Sequence, residues 1–377
     1  MSIRRALAVV VAAIIATALP LAGPATAADG DVVPGTPTIT GTAQLGRTLA
    51  AVAGTWQPTD VALSYQWLRD GTPVGTDSPD NRTRTLSSTD DVGAVYTVRV
   101  TGTKDGRSAQ AVSAPTRPVA KAVVTNTERP TISGSSKYLG TLTASGGRWS
   151  RGGLTRHYRW LRDDRPIAGA THRTYTVAPA DVGRKIRVRV SVTRPGFVSA
   201  SARSKARTGQ HLRPVRRTVT YQVSTRGSVS ASVSTFKRLA QETYDDPRGW
   251  RSVGIRFKRV SKGGDFTLVL SQASKVPSFS SACSATWSCR VGRYVVINQT
   301  RWQKASPAWK ANGGSLRSYR HLVVNHETGH WLGKGHASCG GTGRLAPVMQ
   351  QQSKSLGGCR INPWPTPGER HAPRFGY

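Results

Sequence analysis

Three histidines and a glutamate near the C-terminal end of the chain have the spacing of a metal-dependent active site. His326 and His330 are four residues apart, so on a helix they share one face. Glu327 stands beside them, placed to act on a water molecule rather than to bind the ion. Gly333 lets the backbone leave the helix, and His336 can then return as a third ligand. Three imidazole nitrogens leave one tetrahedral position for water, which is typical of a catalytic zinc site.

The pattern HExxHxxGxxH that begins at His326 resembles the signature of the metzincin zinc proteases. This resemblance implies one zinc ion on the three histidines, Glu327 as general base, and a structural methionine turn beneath the metal. Met349, thirteen residues after His336, suits that turn, although ordinary core packing is the alternative. Residues 215–377 resemble an uncharacterised family of secreted bacterial metzincin-like proteins, and we expect an α+β zinc-protease domain there.

Two neighbouring features bear on this resemblance. No aspartate or glutamate occurs between Glu327 and Glu369, so His336 is the obvious third ligand. Many metzincins carry a tyrosine just after the methionine turn, whereas three glutamines at 350–352 stand here. A tyrosine-assisted mechanism is therefore not expected.

The elements needed to position the motif can be predicted from the sequence around it. Gly314 and Ser315 can cap a helix that carries the histidines, from about residue 316 to 332. His321 would lie off the ligand face of that helix. Hydrophobic periodicity predicts another helix at 232–245 and strands at 218–223, 250–260, 266–270 and 293–298. In the resembled enzymes substrate lies along an edge strand, which would fall within 276–299.

Cys283, Cys289, Cys339 and Cys359 are the four cysteines of the chain. An even number in an exported protein implies disulfides, and four cysteines allow three pairings. We favour Cys283–Cys289 and Cys339–Cys359, because each pair is close in sequence. The second bridge would span the segment that contains Met349. Zinc binding by thiolates is the alternative, but the sequence has no C-x-x-C pair.

Residues 1–27 have the pattern of a secretory signal peptide. Arg4 and Arg5 precede an apolar run at 6–19, and the small residues at 25–27 form an A-x-A cleavage site. The run is too short for a comfortable membrane span, which disfavours the alternative of a retained anchor. No later stretch could span a membrane, so we expect a secreted, extracellular or wall-associated protein.

Residues 35–120 and 128–206 contain two copies of one pattern. YQWLRD at 65–70 matches YRWLRD at 158–163, and the tripeptide DVG occurs at 91–93 and again at 181–183. Alternating apolar and polar residues predict strands with one buried face. The copies resemble bacterial immunoglobulin-like repeats, which implies two all-β sandwiches. Trp67 and Trp160 are expected in their cores rather than as sugar-binding platforms, and 203–217 is expected to be a solvated basic hinge.

The chain is strongly basic, with 54 lysines and arginines, 19 acidic residues and a net charge of +35. Such an imbalance predicts attraction to anionic polymers, and for an exported protein these include cell-wall polymers. No nucleic-acid-binding module is visible, so no specific nucleic-acid partner is expected. The basic rim of the site predicts some preference for acidic substrates.

The sequence thus predicts a secreted zinc endopeptidase that acts on protein or peptide substrates. Two alternatives stay open: a non-catalytic envelope adhesion protein with a metal-stabilised head, and a zinc amidase acting on wall peptides. The adhesion alternative accounts for the charge and the repeats, but it does not explain the presence of Glu327.

Overall fold

The computed structural model describes residues 31–377, so the expected signal peptide lies outside the described residues. The described chain is mostly β-sheet, with several separate sheets and few helices, which agrees with the expectation of several β domains. Among residues 31–377 the helices are too short or too polar to span a bilayer. The chain forms two compact units, one made of 31–123 with 194–198 and the other of 124–193 with 199–377.

The first unit contains two antiparallel sheets around one core. In chain order its strands β1 to β7 span Thr38–Gly41, Thr48–Val52, Ala62–Arg69, Thr72–Ser78, Thr83–Thr85, Tyr96–Lys104 and Arg107–Val112. The sheets have the orders β1-β2-β5 and β4-β3-β6-β7. Alternation along β6 turns Tyr96, Val98 and Val100 inward, and all three are fully buried. Trp67 is 2% exposed in the same core, as expected.

The second unit begins with the second repeat. Its strands β8 to β17 span Asn126–Glu128, Ile132–Gly134, Thr141–Ala144, Arg148–Trp149, Thr155–Arg162, Arg165–Pro166, Thr174–Thr176, Lys185–Thr193, Ala200–Arg203 and Arg207–Thr208. The sheets have the orders β14-β10-β9, β11-β8 and β13-β12-β15-β16, and β17 pairs with β15. Trp160 is fully buried among the core residues of this repeat.

A buried aspartate explains why the tripeptide DVG recurs in both repeats. Asp91 accepts hydrogen bonds from the Ser88 N–H at 2.9 Å and the Tyr96 hydroxyl at 2.7 Å. Asp181 likewise accepts from the Ala178 N–H at 2.7 Å. Each carboxylate therefore satisfies the N–H of the residue that precedes a short 3-10 turn. In the first repeat the Ser88 hydroxyl completes a capping box, whereas Ala178 in the second repeat has no side-chain acceptor.

The prediction of a solvated hinge at 203–217 is wrong for the first part of that segment. Arg203 ends β16, and Arg207 begins β17 within the same sheet. Ser204 is buried between them, and its hydroxyl accepts a hydrogen bond from the Val188 N–H at 3.0 Å. The segment satisfies its backbone through the sheet, and its basic composition did not reveal this pairing.

The C-terminal part of the second unit has one mixed sheet. Strands β18 to β22 span Arg217–Arg226, Ile255–Arg259, Phe266–Ser271, Cys289–Val291 and Tyr294–Asn298, in the order β19-β18-β20-β22-β21. The pairs are parallel except that β21 runs antiparallel to β22 and forms one edge. Every residue of β20 is buried, as expected for a central strand covered on both faces. The strand predicted at 250–260 is shorter than expected, because Trp250–Val253 forms a 3-10 turn before it.

Within residues 31–377, four α-helices lie in the same C-terminal part of the chain as this sheet. Helices α1 to α4 span Val233–Asp245, Gln299–Lys304, Pro307–Ala311 and Leu316–Trp331, and other 3-10 turns span Thr89–Asp91, Pro179–Asp181, Ala273–Phe279, Pro367–Glu369 and Pro373–Phe375. The Ser315 hydroxyl accepts the Ser318 N–H at 3.1 Å and so caps α4. The hydroxyls of Tyr244 and Thr328 lie 2.9 Å apart and join α1 to α4 inside the core. Helix α4 is thereby fixed over the sheet.

Candidate metal centre

Helix α4 carries two of the three predicted ligands, and the turn that follows it carries the third. His326 and His330 lie one turn apart in its last two turns. Gly333 has φ 91°, a left-handed conformation that a side chain would disfavour, and the helix ends just before it. The chain reverses there and brings His336 back beside the helix.

The side chains of the three histidines converge. The Nε2 atom of His330 lies 3.2 Å from that of His326 and 3.2 Å from that of His336. One ligand atom from each residue falls within 4.8 Å of the others. A tetrahedral zinc ion with Zn–N bonds near 2.05 Å separates two ligand nitrogens by about 3.3 Å. The two spacings from His330 therefore fit a single ion, and the third nitrogen pair lies within 4.8 Å.

Backbone carbonyls fix the tautomers of the two helical histidines. His326 donates its Nδ1–H to the Val348 carbonyl at 2.8 Å, and His330 donates its Nδ1–H to the Lys334 carbonyl at 2.8 Å. A carbonyl can only accept, so each Nδ1 carries the proton and each Nε2 presents a lone pair. Two lone pairs 3.2 Å apart repel each other, and a cation between them removes that repulsion.

The surroundings keep all three imidazoles neutral. Burial lowers the pKa of His326 to about 3, and the neighbouring imidazole of His330 adds to that effect. Burial also lowers the pKa values of His330 and His336. Neutral imidazole is the form that binds a metal ion, so the donor set is prepared for one.

Glu327 lies on the same cavity as the triad and is buried. Burial raises the pKa of its carboxyl to about 8, and the positive charge of Arg290 works against that rise. A divalent cation beside it would oppose the rise further. A carboxyl group with a raised pKa and three converging imidazole nitrogens thus line the same cavity.

A buried turn that contains Met349 supports the first ligand. Val348, whose carbonyl accepts from His326, directly precedes Met349, which is 1% exposed. A side chain at Gly329 of α4 would overlap the Met349 sulfur, so helix and turn are in close contact. The sequence predicts Met349 in such a turn, and in the structure Met349 packs against helix α4.

Glu369, which was not predicted from the sequence, holds this turn in place. The carboxylate of Glu369 accepts hydrogen bonds from the N–H groups of Val348 at 2.9 Å and Met349 at 2.8 Å. It also accepts from the Thr366 N–H and hydroxyl, both at 2.8 Å. The sequence TPGE at 366–369 has the capping-box form, and that signal could have identified Glu369 as a buried cap.

Gln351 is the second residue that the sequence did not assign. Its amide Nε2 lies 3.3 Å from His336 Nε2, so its carboxamide borders the converging nitrogens. Its Oε1 accepts from the Lys354 ammonium at 3.3 Å. Gln351 lies two residues after Met349 and places a polar group next to the site.

The triad opens into a cavity of about 690 Å³. Its walls come from the segment that includes β21, from one face of α4 and from residues 350–354. The disulfide Cys283–Cys289 lies in the first wall, and Cys339–Cys359 spans the segment that contains Met349. Both bridges are the pairs favoured from the sequence, and disulfides are typical of proteins outside the reducing cytosol.

The other histidines do not join the triad. His321 is buried off the ligand face of α4, where its Nδ1 lies 2.8 Å from the Thr243 hydroxyl. His371 contacts the Lys334 ammonium at 3.0 Å. Within residues 31–377, only His326, His330 and His336 form such a cluster of three potential ligands.

Part of the chain matches a known protein family. Residues 198–367 match a family described as "Protein of unknown function (DUF3152)". No curated protein matches the chain in sequence. The matched segment contains the whole histidine motif and Met349, but it ends before Glu369.

Solved structures similar to this chain share about half of it. The three N-terminal domains of the Hoc outer capsid protein of bacteriophage RB49 are 19% identical, with a TM-score of 0.23; the match covers 51% of this chain and 65% of that one. Murine CEACAM1b is 16% identical over 46% of this chain and 98% of that chain, with a TM-score of 0.22. An ice-binding adhesin from an Antarctic bacterium is 12% identical over 48% and 49%, with a TM-score of 0.23. No function is inferred from these matches.

Proposed function

We propose that this protein is a secreted zinc-dependent endopeptidase with a metzincin-like C-terminal domain. One observation carries the proposal: three imidazole nitrogens converge within 4.8 Å of one another, with His330 Nε2 3.2 Å from each of the other two, and a buried carboxylate lines the same open cavity. Three nitrogen donors with a free fourth position are the donor set of catalytic zinc sites. The disulfides fit an oxidising compartment outside the cell.

Glu327 is the general base of the proposed reaction. Zinc on the three nitrogens would supply a Lewis acid and would lower the pKa of water at the site. Burial makes the Glu327 carboxylate a stronger base than it is in water, which favours removal of a proton from the attacking water. Glu327 then passes the proton to the leaving amine nitrogen, so the same side chain serves both halves of peptide hydrolysis.

Gln351 takes the part of the tyrosine that is missing from the resembled pattern. Its amide group borders the nitrogen of His336 and can donate an N–H to the oxygen that gains negative charge during attack. The carboxamide is neutral, so this contribution does not depend on a proton at that residue.

The edge strand β21 offers a place for the substrate. It ends the sheet order, and no other strand within residues 31–377 pairs with its outer side. An extended peptide can add to such an edge through backbone hydrogen bonds. The bridge Cys283–Cys289 closes the loop that leads into this strand and holds the wall of the cavity in place.

The two repeats act as immunoglobulin-like spacers or wall-binding modules in this proposal. The net charge of +35 supports attraction to anionic wall polymers. That attraction would keep the catalytic domain near the envelope.

A digest of casein and of a peptide library, with mass-spectrometric mapping of the cut sites, tests the proposal. We expect the wild type to contain one zinc ion and to cleave, whereas Glu327→Ala keeps the zinc and loses about 10²- to 10⁴-fold in kcat. His172→Ala is the matched control, because His172 is exposed in the second repeat. Zinc binding without cleavage by any form would contradict the proposal and favour the adhesion alternative. Cleavage confined to peptidoglycan stem peptides would favour the amidase alternative.

A further inference from the structure

Two cations from separate segments of the chain line the cavity that holds the histidine triad. Arg290 lies on β21 and donates from Nη2 to the His330 carbonyl at 2.7 Å, and its charge acts on Glu327 and His330. Lys354 lies in the wall segment 350–354, and its charge acts on His326 and His336. Both cations therefore act on the group of residues around the proposed metal position.

Neither cation has a carboxylate partner within the described part of the chain. Within residues 31–377, no carboxylate lies within 4.0 Å of the Arg290 guanidinium or the Lys354 ammonium. By contrast, the exposed Arg317 binds Glu242 at 2.6 Å. Among residues 31–377, Glu327 is the only acidic residue that lines the cavity.

The sequence around the cavity has the same bias. Between Asp265 and Glu369 the chain has twelve lysines and arginines, and Glu327 is its only acid. A concave site walled by one sign of charge concentrates its field and attracts ions of the opposite sign. A ligand that complements this cavity would therefore carry negative charge.

We propose that the cleft selects acidic peptides, whose carboxylates bind the two cations of its lining, Arg290 and Lys354. The inference rests on the proposed peptidase function and adds the substrate class to it. The planar guanidinium of Arg290 has donors left after its bond to His330 and can hold a carboxylate through paired N–H groups. Lys354 is exposed, and its ammonium donates to the neutral amide oxygen of Gln351 at 3.3 Å, which a carboxylate can replace.

Binding to a peptide pair that differs only in charge tests this inference. One fluorescent peptide carries glutamates on both sides of a cleavable bond, and its partner carries glutamines at the same positions. Dissociation constants are measured by fluorescence anisotropy with Glu327→Gln, which prevents turnover. We expect the acidic peptide to bind about tenfold more tightly at low salt, with the difference shrinking at high salt.

Single variants identify the residues responsible. Arg290→Met and Lys354→Met, each made in the Glu327→Gln background, should each reduce the tenfold ratio to about threefold. Arg290→Lys should retain most of it, because it keeps the charge. Lys310→Met removes an exposed cation away from the cavity and should leave the ratio unchanged. Equal binding of both peptides, no binding of the acidic peptide, or an equal effect of Lys310→Met would overturn the inference.

Cleavage of the same peptides by the wild type separates this inference from the proposed function. Cleavage of both peptides without a preference, together with equal affinities, contradicts the acidic specificity alone. Tighter binding of the acidic peptide without cleavage of either contradicts the peptidase function and leaves the charge selection supported.

Discussion

His326, His330 and His336 differ in exposure but share one chemical state. The first two lie partly buried on α4, the third is exposed, and the pKa values of all three are lowered by burial. A neutral imidazole needs no proton release before it binds a metal ion. We therefore expect the site to bind a metal ion most readily near neutral pH and to lose affinity when acid protonates the imidazoles.

The third ligand is the sharpest test of the metal centre. We expect His336→Ala to lower zinc affinity by at least about 100-fold, because two histidines alone leave the ion poorly held. Competition with a chromophoric chelator measures this affinity, and His172→Ala serves as the exposed control. Unchanged zinc affinity in His336→Ala would remove this residue from the ligand set.

Gln351 should affect catalysis without affecting the metal. We expect Gln351→Ala to lower kcat by about 10- to 100-fold while zinc content and KM change little, because the lost N–H serves only the developing negative charge. Steady-state kinetics on a peptide that the wild type cleaves measure the effects on kcat and KM separately. Gln351→Glu should be slower still, since it replaces the donor with a negative charge. A loss confined to KM would assign Gln351 to ground-state binding instead.

At the scale of elements, the turn that contains Met349 depends on one carboxylate. We expect Glu369→Gln to lower the free energy of unfolding by about 2 kcal/mol or more, because buried N–H groups lose a charged acceptor. The same change should weaken zinc binding by about 10- to 100-fold, since Val348 positions His326. Urea unfolding and chelator competition measure the two effects.

The control for this change is Glu128→Gln, which removes an exposed carboxylate paired with Arg148. A surface pair of this kind contributes little, so its loss should cost less than about 1 kcal/mol. Equal destabilisation by both changes would show that Glu369 has no special part in the turn.

Most elements around the site could be predicted because their signals are local. Periodicity and a serine cap predicted α4, which spans Leu316–Trp331, and alternation predicted β18, β20 and β22 closely. The start of β19 was misplaced because Trp250 and Val253 look like strand residues but belong to a 3-10 turn. Gly254, in a left-handed conformation, ends that turn, and its position marks the true boundary.

The contacts that complete the site could not be predicted in the same way. The ligand spacing follows from a helix and one turn, so His326 and His330 needed no tertiary information. Glu369 reaches Val348 across 21 positions, and the carboxamide of Gln351 reaches His336 across 15. Contacts of this kind depend on how the chain folds back after the helix, and hydrophobic periodicity does not encode that path.

At the scale of the whole molecule, buried histidines should make stability depend on pH. Burial lowers the pKa of His321 to about 4, whereas an unfolded histidine titrates near 6.5. Between these two pH values His321 is protonated in the unfolded chain but neutral in the folded chain. Its contribution to folding stability is therefore fully present above about pH 6.5 and is lost as the pH falls toward 4. His211, whose pKa burial also lowers to about 4, contributes in the same direction.

Urea unfolding of metal-free protein at neutral and acidic pH, compared with His321→Gln, isolates this contribution. We expect the wild type to lose more unfolding free energy on acidification than the variant. His172→Gln, which changes an exposed histidine, should follow the wild type. Equal pH dependence in the wild type and His321→Gln would contradict the prediction.

The partners that orient His326 and His330 are peptide oxygens of Val348 and Lys334 rather than side chains. Every residue type supplies that oxygen, so point mutation at either position cannot delete it. In a saturation library, position 334 should accept many replacements while position 330 accepts none without loss of the ion. During evolution, the positions of the imidazoles are therefore expected to stay fixed, whereas the positions whose carbonyls orient them are free to change residue type.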